Sequence, residues 1–127
     1  MPLTIMPIYA VPLVLLFLAL SARIILYRRS SSIPLGDGGD AALFARIRAQ
    51  GNCAEYMPLG LLLLLMAELS GGTAFALHAA GLCLLAGRSI HAAHLSFFPT
   101  RYAMRIAAIV LTTVSYMSCL RIALHWQ

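Results

Sequence analysis

The chain has 127 residues, of which 61% are hydrophobic and 10% charged; water-soluble domains carry roughly 25% charged residues, so the composition describes one membrane domain. The net charge of +5 comes from nine arginines against four acids, without a lysine. Those arginines lie in short polar gaps between apolar runs, which excludes the basic patch of a nucleic-acid binder. Cys53, Cys83 and Cys119 form no CxxC pair and fall in apolar segments, so they read as reduced packing residues, with neither a disulfide frame nor a zinc site.

Ile5 to Leu26 is apolar over about the ~20 residues that a bilayer span needs. It lacks a basic leader and runs into Arg23, Arg28 and Arg29, so it reads as an anchored helix and not a cleaved signal. Ser30 to Pro34 makes the connection, and Gly36-Asp37-Gly38-Gly39 turns the chain into a second helix with Asp40 as its N-cap. No strand precedes that glycine run and no Gly-Lys-Ser/Thr follows it, so it is not a phosphate loop. The second helix becomes apolar after Glu55 and ends at Ser70-Gly71-Gly72-Thr73. The third carries His78, Arg88, His91 and His94 and breaks at Phe97-Phe98-Pro99-Thr100. Thr100 is expected to cap a fourth, starting at Arg101. The expected spans are about 5–27, 41–69, 74–96 and 101–126 of a single domain, residues 1–127. Four helices with short connections make an all-α, antiparallel four-helix membrane bundle.

Arginines flank the first and third connections, and the second has none. The positive-inside bias therefore places Arg28, Arg29, Arg46, Arg48, Arg101 and Arg105 toward the cytoplasm and both termini outside it; Arg121 and His125 count against that assignment. Arg48, Asn52 and Glu55 at i, i+4 and i+7 share one helical stripe, and Gly51 beside it leaves the backbone open to approach. A cation, an amide and a carboxylate on one membrane helix are costly unless they pair or bind a polar ligand. Paired internally they form a clamp between helices; otherwise they form a site. His91 and His94 at i, i+3 lack a third ligand, so no metal is expected.

Arg48-Ala49-Gln50-Gly51-Asn52-Cys53-Ala54-Glu55-Tyr56-Met57-Pro58-Leu59, preceded by Gly36-Asp37-Gly38-Gly39 and followed by Gly87-Arg88-Ser89-Ile90-His91, resembles the bacterial branch of the MAPEG family, the membrane-associated proteins in eicosanoid and glutathione metabolism. The resemblance covers nearly the whole chain. It implies a homotrimer in a bacterial inner membrane, with glutathione as co-substrate bound between subunits near the cytoplasmic face. Arg48, Asn52 and Glu55 match glutathione-contacting positions of the family's second helix, and Arg88 and His91 match positions on its third. Arg101 matches the arginine beside the thiol in catalytic members, followed by Tyr102 where Ser is common, and Arg28 matches a first-helix arginine. Gly51 and Arg105 depart from the mammalian prostaglandin synthase, which has Arg and Tyr at those places.

Arginines suit the two carboxylates of glutathione through charge-assisted bonds, Glu55 suits its ammonium or else orients Arg48, and Asn52 suits its peptide groups. A thiol with a pKa near ~8.5 reacts as thiolate, which Arg101 at a helix start would favour. The implied activity is conjugation of glutathione to apolar electrophiles that partition from membrane lipid, or reduction of lipid hydroperoxides from the same thiolate. A non-catalytic, glutathione- or lipid-binding accessory protein is the alternative. A transporter is disfavoured, since inverted repeats and a broken midplane helix are missing from the sequence pattern.

Overall fold

A computed structural model describes residues 2–125. Four helices follow one another: α1 Met6–Ser31, α2 Ala41–Leu69, α3 Ala74–Phe97 and α4 Tyr102–Leu124. The all-α four-helix bundle is the fold expected, and among the described residues it contains no strand. α1, α2 and α4 are each long and apolar enough to cross a membrane. The four-span expectation meets that criterion in these three. α3, at 24 residues, carries Arg88 and three histidines and packs against all of the other helices. α1 and α4 do not touch each other. The expected end of the last span, Trp126, lies outside the described residues.

The ends differ from the sequence reading in two places. α1 continues through Ser30 and Ser31, whose hydroxyls both donate to the Tyr27 carbonyl, and it closes on Ser32 in the left-handed region at φ 57°. At the start of α4, Thr100 does not cap. Arg101 occupies the N-cap position without a side-chain bond, and the helix begins at Tyr102. Asp40 does cap α2, accepting from Leu43 N–H at 2.9 Å, and Thr73 caps α3, accepting from Ala76 N–H at 3.4 Å.

Lipid tails are as apolar as leucine, so interhelical cohesion rests on close packing and on internal polar bonds. Leu13, Leu84, Ala49, Cys53 and Met57 join α1, α2 and α3 in one cluster, and Tyr9, Leu64, Leu77 and Cys119 join the helices nearer the termini. The three cysteines are free thiols. At Gly87 a Cβ would stand 2.6 Å from Thr112 Oγ1 and 2.9 Å from the Ala108 carbonyl, so only glycine lets α3 and α4 approach this closely. That approach sets the position of Arg88, the next residue.

Candidate functional site

Helix direction gathers the polar residues at one end of the bundle. The C-terminal halves of α1 and α3 and the N-terminal halves of α2 and α4 bring Arg28, Arg48, Asn52, Glu55, Arg88, His91, Arg101, Tyr102 and Arg105 to the end opposite both termini. The deepest is Arg88, 2% exposed. Its Nε and Nη2 donate to Thr112 Oγ1 on α4 at 3.2 and 2.8 Å, Nη1 donates to Asn52 Oδ1 on α2, and its Cζ lies 4.8 Å from the Tyr56 ring centroid. Thr112 in turn donates to the Ala108 carbonyl at 2.9 Å, which fixes its lone pairs toward the guanidinium. No carboxylate pairs with Arg88 among the described residues. A buried guanidinium with five donors therefore uses three on neutral acceptors and keeps its full charge.

The expected stripe on α2 divides. Asn52 turns inward to Arg88, while Arg48 and Glu55 face outward and pair with each other at 3.5 Å, with side chains 45% and 54% exposed. The Arg48 guanidinium folds over Gly51, with Nη1 3.4 Å from where a Cβ would stand, so the open backbone expected there is partly covered. His91 is buried beside Arg88 on α3 and meets His94 edge to face, ring centroids 6.3 Å apart.

The α4 residues are more open. Arg101 is exposed and lies over the Phe98 ring at 5.3 Å. Tyr102 is 69% exposed, and Arg105 is exposed. Within one chain none of the three bonds to the Arg88 cluster among the described residues. Arg28 is held by the first connection, where Nη1 donates to the carbonyls of Ile33 at 3.1 Å and Gly36 at 2.7 Å. Nearby, Tyr27 donates to Asp40 Oδ2 at 2.8 Å and Arg46 stacks on the Tyr27 ring at 4.2 Å. The Leu43 N–H and the Tyr27 hydroxyl hold the Asp40 carboxyl below its ordinary range. Sequence reasoning missed Thr112 and Tyr56 as partners of Arg88. The available signal was Gly87, a small residue beside a buried cation, which marks where a neighbouring helix must come close.

The model of the MAPEG family matches residues 6–124. Inner membrane protein YecN of Escherichia coli strain K12 is 37% identical over 84 residues, which is 66% of this chain and 64% of the relative. YecN of the O6:H1 strain CFT073 matches to the same extent. The matched part is thus under two thirds of either relative's length. No solved structure matches the chain. With its four helices, its apolar spans and a family match running from the first turn of α1 to the last residue of α4, the chain belongs to the MAPEG family.

Proposed function

We propose that this protein is a glutathione transferase of the bacterial inner membrane, working as a homotrimer with both termini outside the cytoplasm. The observation that carries the reading is Arg88, a buried guanidinium without a carboxylate partner among the described residues, at the same end of the bundle as the exposed Arg48, Arg101 and Arg105. A cation held by neutral acceptors favours an anionic ligand, and the two carboxylates of glutathione supply it. Arg88 and Arg48 take a carboxylate each, Asn52 and Glu55 meet the peptide and the ammonium, and Arg28, His91, Tyr102 and Arg105 border the ligand. Arg101 sits at the positive end of α4, where the helix dipole and its own charge favour a thiolate. The thiol proton leaves to solvent, the thiolate sulfur bonds to an electrophilic carbon arriving from the lipid, and the leaving group departs with the electron pair. With a lipid hydroperoxide, two glutathiones give the disulfide, the lipid alcohol and water.

Within one chain Arg101, Tyr102 and Arg105 make no bond to the Arg88 cluster among the described residues, which favours a site completed by a second copy. The test is a glutathione titration of the detergent-solubilised protein, following the ultraviolet thiolate band, with Arg101→Ala alongside. A saturable band in the wild type that disappears in the mutant, while calorimetric binding remains, is the expected result. Binding without a thiolate in either protein moves the assignment to a non-catalytic glutathione binder. Absence of binding returns Arg88 and Asn52 to a structural clamp.

A further inference from the structure

At the end of the bundle that holds both termini, a groove of about 630 Å³ opens between the α2–α3 turn and the last turns of α4. Ser70, Thr73 and Ser118 place hydroxyls along it, Ala76, Ala79 and Ile122 give it a smooth apolar floor, and Arg121 and His125 stand at its edge. The same Arg121 and His125 also border a second groove of about 360 Å³, whose other walls are Met117, Leu120 and Leu124. One cationic edge thus separates a hydroxyl-lined recess from an apolar one. Arg121 has no carboxylate partner among the described residues. The chain's four acids explain why. Asp37, Asp40 and Glu55 are at the opposite end, and Glu68 is committed to α1, accepting from the N–H groups of Thr4, Ile5 and Met6 at 2.7, 2.8 and 2.6 Å.

We infer that these adjoining grooves form a binding site for a single anionic phospholipid, separate from the polar cluster around Arg88. The phosphate pairs with Arg121, the glycerol oxygens meet the hydroxyls of Ser70, Thr73 and Ser118, and an acyl chain lies over Met117, Leu120 and Leu124. Two features favour a lipid over a soluble anion. The site lies at the helix ends, where headgroups sit, and the apolar recess continues directly from the cation, as an amphiphile requires. The positive end of α3, at Thr73, adds to the attraction for a phosphate. This assignment does not depend on the glutathione reading.

The experiment is a thermal melt of the full-length protein in a neutral detergent, titrated with dihexanoyl phosphatidylglycerol and, separately, with glycerol phosphate. A ligand that binds only the folded state raises the midpoint saturably, here by about 2–5 °C. Arg121→Gln should lose the rise, since it removes the cation at an exposed position in the last turn. Ala79→Leu, which keeps Arg121 and fills the floor, should lose it as well. Arg29→Gln, at the other end, should keep it and so control for bulk charge. An equal rise with glycerol phosphate would overturn the lipid assignment. So would a phosphatidylglycerol rise that survives both Arg121→Gln and Ala79→Leu. A change in assembly size in Ala79→Leu, without any lipid effect on the wild type, would assign the groove to a second copy of the chain instead.

Discussion

The two ends of the bundle each bury one charge, and they neutralise it differently. Glu68 is held by three backbone N–H groups at the start of α1, which has no side-chain cap of its own. Both its oxygens accept backbone N–H groups, and the positive end of a helix dipole compensates the charge. Arg88 meets two neutral side chains and an aromatic face, with donors to spare and no dipole end against it. The first arrangement neutralises its charge within the chain. The second leaves a positive potential inside a low-dielectric bundle, which is what recognition of an anion needs. A buried charge therefore identifies a site only when its partners leave the charge standing.

Replacing each charge separates these roles. Glu68→Ala strands three N–H groups at the start of α1 and should cost about 3 kcal/mol, read as a lowered melting midpoint and rapid amide exchange at Ile5 and Met6. Glutathione affinity of the folded protein should stay as it was. A matching loss of affinity would break the contrast, because it would couple the neutralised end to the open one. Arg88→Met is the converse change. A buried ion replaced by an apolar side chain of similar size is often neutral or stabilising, so the fold should persist while glutathione binding falls about 100-fold, close to the ~2.7 kcal/mol of a lost charged contact. Unchanged affinity would make Arg88 a clamp and nothing more.

Much of this was legible before the fold was known, and the limits have physical causes. Apolar run lengths place the starts of α1, α2 and α3, and Asp40 is legible as a cap because a cap is a local interaction between a side chain and the N–H three residues on. Thr73, which caps α3 in the same way, reads from sequence only as part of a turn. Thr100 failed as a cap since the chain leaves Pro99 in a turn whose Tyr102 N–H goes to the Thr100 carbonyl, which puts Arg101 at the N-cap. The stripe of Arg48, Asn52 and Glu55 was correctly placed along α2, yet periodicity cannot say how far each side chain leans. Asn52 turned inward because Arg88 waits there, and that contact joins residues 36 positions apart. Glu68 was overlooked for the same reason. Its partners are backbone groups of another helix, and backbone donors leave no mark in a sequence.

Thr112→Val sharpens the account of how Arg88 is held. Valine keeps the shape, removes the acceptor of two guanidinium N–H groups, and should cost about 2 kcal/mol. Asn52 remains as a partner, so glutathione should still bind with a raised KM and an unchanged thiolate band. Loss of the band would mean that Thr112 reaches the sulfur's surroundings and does more than orient the arginine. A smaller effect is expected at Arg48, whose pairing with Glu55 is exposed and worth under ~0.5 kcal/mol. Arg48→Ala should therefore melt like the wild type and bind glutathione about tenfold more weakly, a loss of ~1.4 kcal/mol. Stability loss without affinity loss would reverse its role.

The smallest effect concerns the loop that frames the open end. Asp40 accepts from Leu43 N–H and from the Tyr27 hydroxyl, and both hold its carboxyl below the ordinary range. A folded pKa lower than the unfolded value of about 3.9 means that the cap stabilises α2 at every pH above that value, and the contribution disappears as pH falls through the lower folded pKa. Amide exchange at Leu43 should therefore stay protected at pH 5 and accelerate, relative to the intrinsic rate, only below about pH 4. Asp40→Asn keeps an accepting oxygen without a titrating proton and should abolish that step while leaving the helix start in place. A wild-type step at or above the unfolded value would show that the two bonds do not favour the carboxylate. Arg46 and Tyr27 would then hold the first connection by stacking alone, and the arginines at this end would be placed by the loop's shape and not by its charge.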